Sequence, residues 1–180
     1  MTDQSVPESR DDLRPLILLD VDGVLNPWHK QGSHWLSVKA VCDGATFPVV
    51  LNPEHGPMLL QLAADTGAEL VWATTWEHHA NLAIGPLIGL PELPVIEVNA
   101  GPDAPHVHPK TPPVAEYVKG RPFVWFDDDL DRADRLYLKD HANVDRFRVI
   151  DVGPREGLRP VHIKQAAEWL VSLKGADRDE

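Results

Sequence analysis

The chain has 180 residues, 43% of them hydrophobic, a formal net charge of −11 and a single cysteine, Cys42. That length fits one domain with a substantial core, and the acidic balance disfavours broad attraction to nucleic acid or anionic membrane while leaving room for a local basic pocket. One cysteine excludes an internal disulfide framework and suits a reducing cytoplasm.

Residues 1–13 read as a flexible tail (TDQSVPESRDD is acidic and polar, unlike a positively charged signal-peptide start), and residues 175–180 read as another. Between them, one domain is expected over 14–174. The first strand is Leu16–Val21, too short an apolar run to cross a membrane. Residues 34–51 then break the rhythm: they read as two strands joined by Asp43-Gly44, a favourable two-residue hairpin turn, with Pro48 confining the second strand to an edge. Strand-like runs follow at Glu69–Ala73, Val95–Val98, Phe123–Phe126 and Phe147–Val152. Helical segments are expected at Pro57–Thr66, Glu77–Gly85, Pro112–Lys119, Asp131–His141 and Pro160–Leu173. Gly67 suits a C-cap, and Thr111 an N-cap with Pro112 at the first helical position. Continuous apolar strands alternating with helices imply an α/β fold: a Rossmann-like three-layer sandwich with a mainly parallel five-stranded sheet. The hairpin would serve as a small flap, or minimal cap, over the edge where parallel sheets bind ligands. The 17 prolines gather at element boundaries, and no internal repeat, second domain or obligate protein partner is evident.

Two acidic clusters stand where strongly apolar runs stop: Asp20 and Asp22 in LILLDVDGVLN, and Asp127 and Asp128 in FVWFDDDL. Like charges brought together repel unless a cation joins them, and Mg²⁺ is the hard cation that prefers oxygen. Gly23 signals a turn directly after the first cluster. A carboxylate placed there can attack phosphorus, and a second one can move the protons of leaving group and water.

With those residues in place, the sequence resembles the haloacid dehalogenase (HAD) superfamily, whose first motif is an apolar strand followed by DxDG. The resemblance implies Asp20 as nucleophile and Asp22 as general acid/base, an acid at that second position being similar to the phosphatase branch. It implies Thr74 in ELVWATTW as the phosphoryl-binding hydroxyl, with Thr75 as the fallback, and Gly23 beside the substrate. Lys110 in HPKTPPVAEYV corresponds to the motif lysine that neutralises nucleophile and phosphoryl oxygens. Mg²⁺ would be held by Asp20, Asp128, Asp127 and Asp22, the last through its backbone carbonyl, with Asp128 as direct ligand and Asp127 as its neighbour holding the lysine or a metal-bound water. The tracts DVDGVLNP, WATTWEHHAN and FVWFDDD further resemble the small HAD domains associated with RNA-repair proteins.

That resemblance implies a phosphomonoesterase working through an aspartyl-phosphate, on a nucleotide or a polynucleotide 3′-phosphate end. A phosphatase for a small phosphometabolite such as a sugar phosphate is the alternative, and a non-catalytic phosphate- or partner-binding module is the rival from another class. Competing plain roles attach to several residues. Lys110 alone is an ordinary surface lysine, with Lys119 near enough to compete. Asp129 and Asp131 suit the first turn of the next helix. His78, His79, His106 and His108 lack i, i+4 ligand spacing, Trp35 and Trp76 suit packing as well as base stacking, and Arg155 and Arg159 suit exposed loop charge as well as a second phosphate site.

Overall fold

The computed structural model describes residues 14–101 and 104–176. The expected N-terminal tail lies outside them, as do residues 177–180. Four parallel strands form the sheet: β1 (Leu16–Leu19), β4 (Glu69–Trp72), β5 (Phe123–Asp127) and β6 (Phe147–Asp151), in the order β4-β1-β5-β6. Two antiparallel strands, β2 (Leu36–Cys42) and β3 (Ala45–Leu51), form a separate hairpin. The helices are α1 (His55–Thr66), α2 (His78–Ala83), α3 (Gly85–Ile88), α4 (Thr111–Val118), α5 (Arg132–Asp140) and α6 (Pro160–Ala176).

β1, β4 and β5 are buried on both faces, and alternate residues therefore feed two cores, while the edge strand β6 leaves Arg148 and Asp151 exposed. Ile17 and Leu19 join Leu70, Trp72, Val124 and Phe126 beneath α1, α3 and α6, whereas Leu16 and Leu18 join Val71, Phe123 and Trp125 beneath α4 and α5. The result is the three-layer α/β/α sandwich expected from the apolar runs. Among the described residues, no helix is long and apolar enough to cross a membrane.

Departures from the expected elements have local causes. The fifth strand, Val95–Val98, is reduced to one bridge between Val95 and Trp72, followed by a 3-10 turn at Val98–Ala100. Pro94 carries no N–H; it accepts from Trp72, and Ile96 donates to the Trp72 carbonyl, after which the segment leaves the edge. The helix expected over Glu77–Gly85 is two short helices, because Pro86 removes the N–H that would continue the first. Gly67 does cap α1 in the left-handed region at φ 73°. Thr111 is not an N-cap: it is the first residue of α4, and its hydroxyl donates to Asp134 at 2.6 Å. At the other end, α6 passes Leu173 and runs to Ala176.

The hairpin turn is as expected. Asp43 and Gly44 both take positive φ (49° and 77°), the conformation of a two-residue turn whose twist matches the strands it joins. Ala40, Val49 and Leu51 anchor the hairpin in the core shared with α1. The chain leaves β1 toward β4 on one side and leaves β5 toward β6 on the other. The carboxyl ends of β1 and β5 thus flank the switch point where open α/β sheets bind ligands.

Candidate active site

Register brings the acidic clusters together. Leu19 pairs with Phe126, so Asp20 and Asp127 emerge level from neighbouring strands, with the Asp20 N–H donating to the Phe126 carbonyl. Asp20 is only 5% exposed. Its Oδ1 accepts from the Val21 N–H at 2.7 Å and its Oδ2 from Lys110 Nζ at 2.6 Å. The same ammonium donates to Asp127 Oδ2 at 2.5 Å, while Asp127 Oδ1 accepts from the Asp129 N–H. Lys110, 3% exposed, is the lysine that reaches the acids; Lys119 is exposed at the far end of α4.

The electrostatics follow from this packing. Burial pushes the Asp20 carboxyl up to about 7, against the pull of Lys110, and Asp127 pushes in the same direction as burial. Burial also opposes charge on Lys110, yet Asp20 and Asp127 together outweigh it and hold the ammonium above its ordinary range. Asp128, half-buried beside them, is raised by burial first and by Asp127 second. Three carboxylates thus share one lysine.

Asp20, Asp127 and Asp128 each present an oxygen within 4.8 Å of the others. Such a hard, all-oxygen donor set fits Mg²⁺ rather than a softer metal. Gly23 makes the crowding possible: it sits at φ 74°, and a Cβ there would lie 2.2 Å from Asp128 Cγ. The Asp22 side chain stands outside this trio and takes other partners, which leaves its backbone carbonyl as the group that the resemblance assigns to a cation.

Asp22 is clamped by two donors. Its Oδ1 accepts from Asn26 Nδ2 and its Oδ2 from Trp76 Nε1, both at 2.8 Å. Asn26 in turn accepts from the Val50 N–H of β3, and Trp76 meets Phe47 edge-to-face with ring centroids 5.8 Å apart. The hairpin is therefore tied to Asp22 from both sides. An open cleft of about 240 Å³ is lined by Asp20, Asp22, Gly23, Thr75, Lys110 and Asp128, together with Trp28, His108 and Asp129. A mainly apolar slot of about 260 Å³ under the hairpin shares Asp22 and Thr75 with that cleft and is walled by Phe47, Pro48 and Trp76.

The two threonines separate. Thr74 is fully buried, and its hydroxyl accepts from the Trp76 N–H, whereas Thr75 is exposed and lines both cavities. Glu77 completes this turn at a positive φ of 44°, its carboxylate accepting from the Asn99 N–H.

Asp131 caps α5, as its position suggested, and forms a reciprocal capping box with Asp134. Asp134 has a second task that its spacing alone does not reveal. It accepts from the His108 N–H at 2.7 Å and from the Thr111 hydroxyl, bracketing Lys110 from both sides. Burial would raise its carboxyl, but those hydrogen bonds outweigh burial and hold it below the ordinary range. Asn26, Asp134 and the N–H of Trp76 are the positioning groups that a motif scan passes over. Of the histidines, His108 reaches the cleft, and His79 lies in a separate group with Cys42 and Asp43 at the hairpin tip.

The family model for the HAD domain in Swiss Army Knife RNA repair proteins matches residues 16–163. No curated protein and no solved structure matches the chain.

Proposed function

Because the chain belongs to the HAD domain family of Swiss Army Knife RNA repair proteins, we propose that it is a Mg²⁺-dependent phosphomonoesterase acting on nucleotide or polynucleotide 3′-phosphate ends. The observation that carries this reading is the buried Asp20 carboxylate, held by Lys110 beside Asp127 and Asp128 at the sheet's switch point, with a second carboxylate, Asp22, clamped across the same cleft.

Asp20 is the nucleophile. One of its oxygens forms a bond to phosphorus while the ester P–O bond breaks, and Asp22 donates the proton that the departing alkoxide takes up. Water then attacks phosphorus, Asp22 recovers a proton from it, and the acyl-phosphate P–O bond breaks to return the Asp20 carboxylate and release orthophosphate. Lys110 offsets the charge that the nucleophile and the phosphoryl oxygens bring together. Thr75, with Gly23, lines the space for the phosphoryl group, and the Thr74 hydroxyl holds the turn that presents Thr75. Asp20, Asp127, Asp128 and the Asp22 carbonyl would hold Mg²⁺, which when bound neutralises phosphoryl charge and stabilises the transition state.

The single cysteine supports a cytoplasmic setting. The deciding experiment compares kcat/KM, with and without Mg²⁺, on p-nitrophenyl phosphate, nucleoside monophosphates, 3′- and 5′-phosphorylated oligonucleotides and sugar phosphates. Asp20→Asn should abolish every turnover while leaving the far-ultraviolet circular dichroism unchanged. Near-normal activity in that variant removes Asp20 as nucleophile. Higher efficiency on sugar phosphates than on every nucleic-acid end selects the metabolite enzyme, and no turnover of any substrate selects a phosphate-binding module.

A further inference from the structure

Resting on that phosphatase reading, we propose that Trp28, Lys30 and Arg155 form a docking tract for the single-stranded polynucleotide that leads to the reacting phosphate. Trp28 stacks on a base and the two cations pair with backbone phosphates. Trp28 is 67% exposed, a costly placement for the largest apolar side chain, and it lines the reaction cleft. Directly beside it, an open groove of about 670 Å³ is lined by His29, Lys30, Gln31, Arg155 and the acid Glu156. An exposed aromatic ring next to unpaired cations is the arrangement that grips single strands, because every base offers a π-face and every linkage a charge.

The tract is built by two loops that are tied together. The Trp28 N–H donates to the Pro154 carbonyl at 2.8 Å, and Gln31 Nε2 donates to the carbonyls of His29 and Arg155 at 2.8 and 3.1 Å. Gly157, at φ 74°, keeps them close: a Cβ there would stand 2.7 Å from the Val24 carbonyl oxygen. Lys30 and Arg155 are exposed and form no ion pair among the described residues, while the nearest acid in the loop, Glu156, is taken by Arg159 at 2.9 Å. In a chain of net charge −11, a polyanion must be held by such local cations, since the overall field repels it.

The test separates binding from turnover. Affinity of the full chain for a fluorescein-labelled, single-stranded RNA oligonucleotide with an unphosphorylated 3′ end is measured by anisotropy across a salt series. Trp28→Ala should weaken binding at least about fivefold, the lower end expected for losing one base stack. The double variant Lys30→Gln/Arg155→Gln should make the slope of log affinity against log salt shallower by about 1.4, the value for two phosphate contacts on a single strand. That double variant should raise KM for a 3′-phosphorylated oligonucleotide and leave kcat/KM for p-nitrophenyl phosphate within about twofold, as expected of exposed residues that bind only the distal chain.

Oligonucleotide binding that is absent, or indifferent to all three substitutions, overturns the tract. So does a phosphopeptide held by the same residues as tightly as the oligonucleotide. If p-nitrophenyl phosphate is hydrolysed and only the oligonucleotide effects are missing, the tract fails and the phosphatase reading stands. If the binding effects occur and nothing is hydrolysed, the reverse holds.

Discussion

Replacing Lys110 with methionine tests the electrostatic construction of the site directly. Methionine keeps much of the stem's bulk, so the change removes chiefly one charge and two hydrogen bonds, to Asp20 at 2.6 Å and to Asp127 at 2.5 Å. Both acceptors are buried, at 5% and 1% exposure. Removing one member of a buried ion pair costs about 3–5 kcal/mol because the remaining charge is stranded. Asp20 offers partial relief. Its carboxyl already stands near 7 through burial, and without the opposing lysine it rises further and takes up a proton at neutral pH. The expected loss is therefore near the low end, about 3 kcal/mol, a large part of the roughly 5–15 kcal/mol stability of an ordinary domain. Urea unfolding in EDTA at neutral pH, followed by tryptophan fluorescence, measures it. The companion variant Lys110→Met/Asp127→Asn removes one stranded charge and should recover at least about 1 kcal/mol, since a neutral amide avoids most of the desolvation cost. A loss below about 1 kcal/mol in the single variant, the level of an exposed pair, would falsify the claim that this lysine is what reconciles the carboxylates.

Three further outcomes are expected. Gly23→Ala drives a Cβ into the Asp128 carboxylate at a left-handed backbone position; the Mg²⁺ concentration giving half-maximal activity should rise by about tenfold or more, the scale set by disturbed support around metal ligands, and an unchanged Mg²⁺ titration refutes the placement of Asp128. Trp76→Phe deletes the N–H that Asp22 accepts; kcat should fall about tenfold or more, the worth of a hydrogen bond to a charged group, and an unchanged kcat refutes the clamp on Asp22. His55 is a stability switch away from the acids: 1% exposed, it uses Nε2 to donate to the Leu158 carbonyl, leaves Nδ1 without a partner among the described residues, and burial pushes it down to about 4. Because the unfolded chain binds this proton below its ordinary 6.5 and the folded chain does not, stability is present above that value and is lost as pH falls toward 4. The loss at about pH 5 should approach 2 kcal/mol by linkage, and His55→Phe should remove it when urea midpoints at about pH 5 and 7.5 are compared; equal pH dependence in both proteins refutes the assignment.

The acidic clusters were legible in the sequence because they depend on local rules. An apolar run ends, acids follow, and a glycine turns the chain; these features sit within a few residues of each other. The hairpin was legible for the same reason, since Asp43-Gly44 supplies two residues that tolerate positive φ. Capping by Gly67 and Asp131 likewise needs only near neighbours. Where local rules competed, the weaker evidence gave way. Val95–Val98 has strand composition, but Pro94 and its place beyond the sheet edge leave it a single bridge. Thr111 has the composition of an N-cap, yet its hydroxyl serves Asp134 on another helix.

What the sequence by itself determined is the inventory of the site: two acid pairs at strand ends, a threonine turn, a lysine before a helix, and a hairpin between them. Which groups touch was decided only by the tertiary structure. Lys110 meets Asp20 from 90 positions away, and Trp76 meets Asp22 from 54 positions away. Those contacts are fixed by sheet register and by packing of α4 and the hairpin, neither of which leaves a mark at short range. The same holds for Trp28 and Arg155, which are brought near each other because two distant loops are tied by backbone hydrogen bonds and by the Gln31 side chain. Residue type announces what chemistry is possible; burial and register determine which carboxylate is raised, which is clamped and which is left to face a cation.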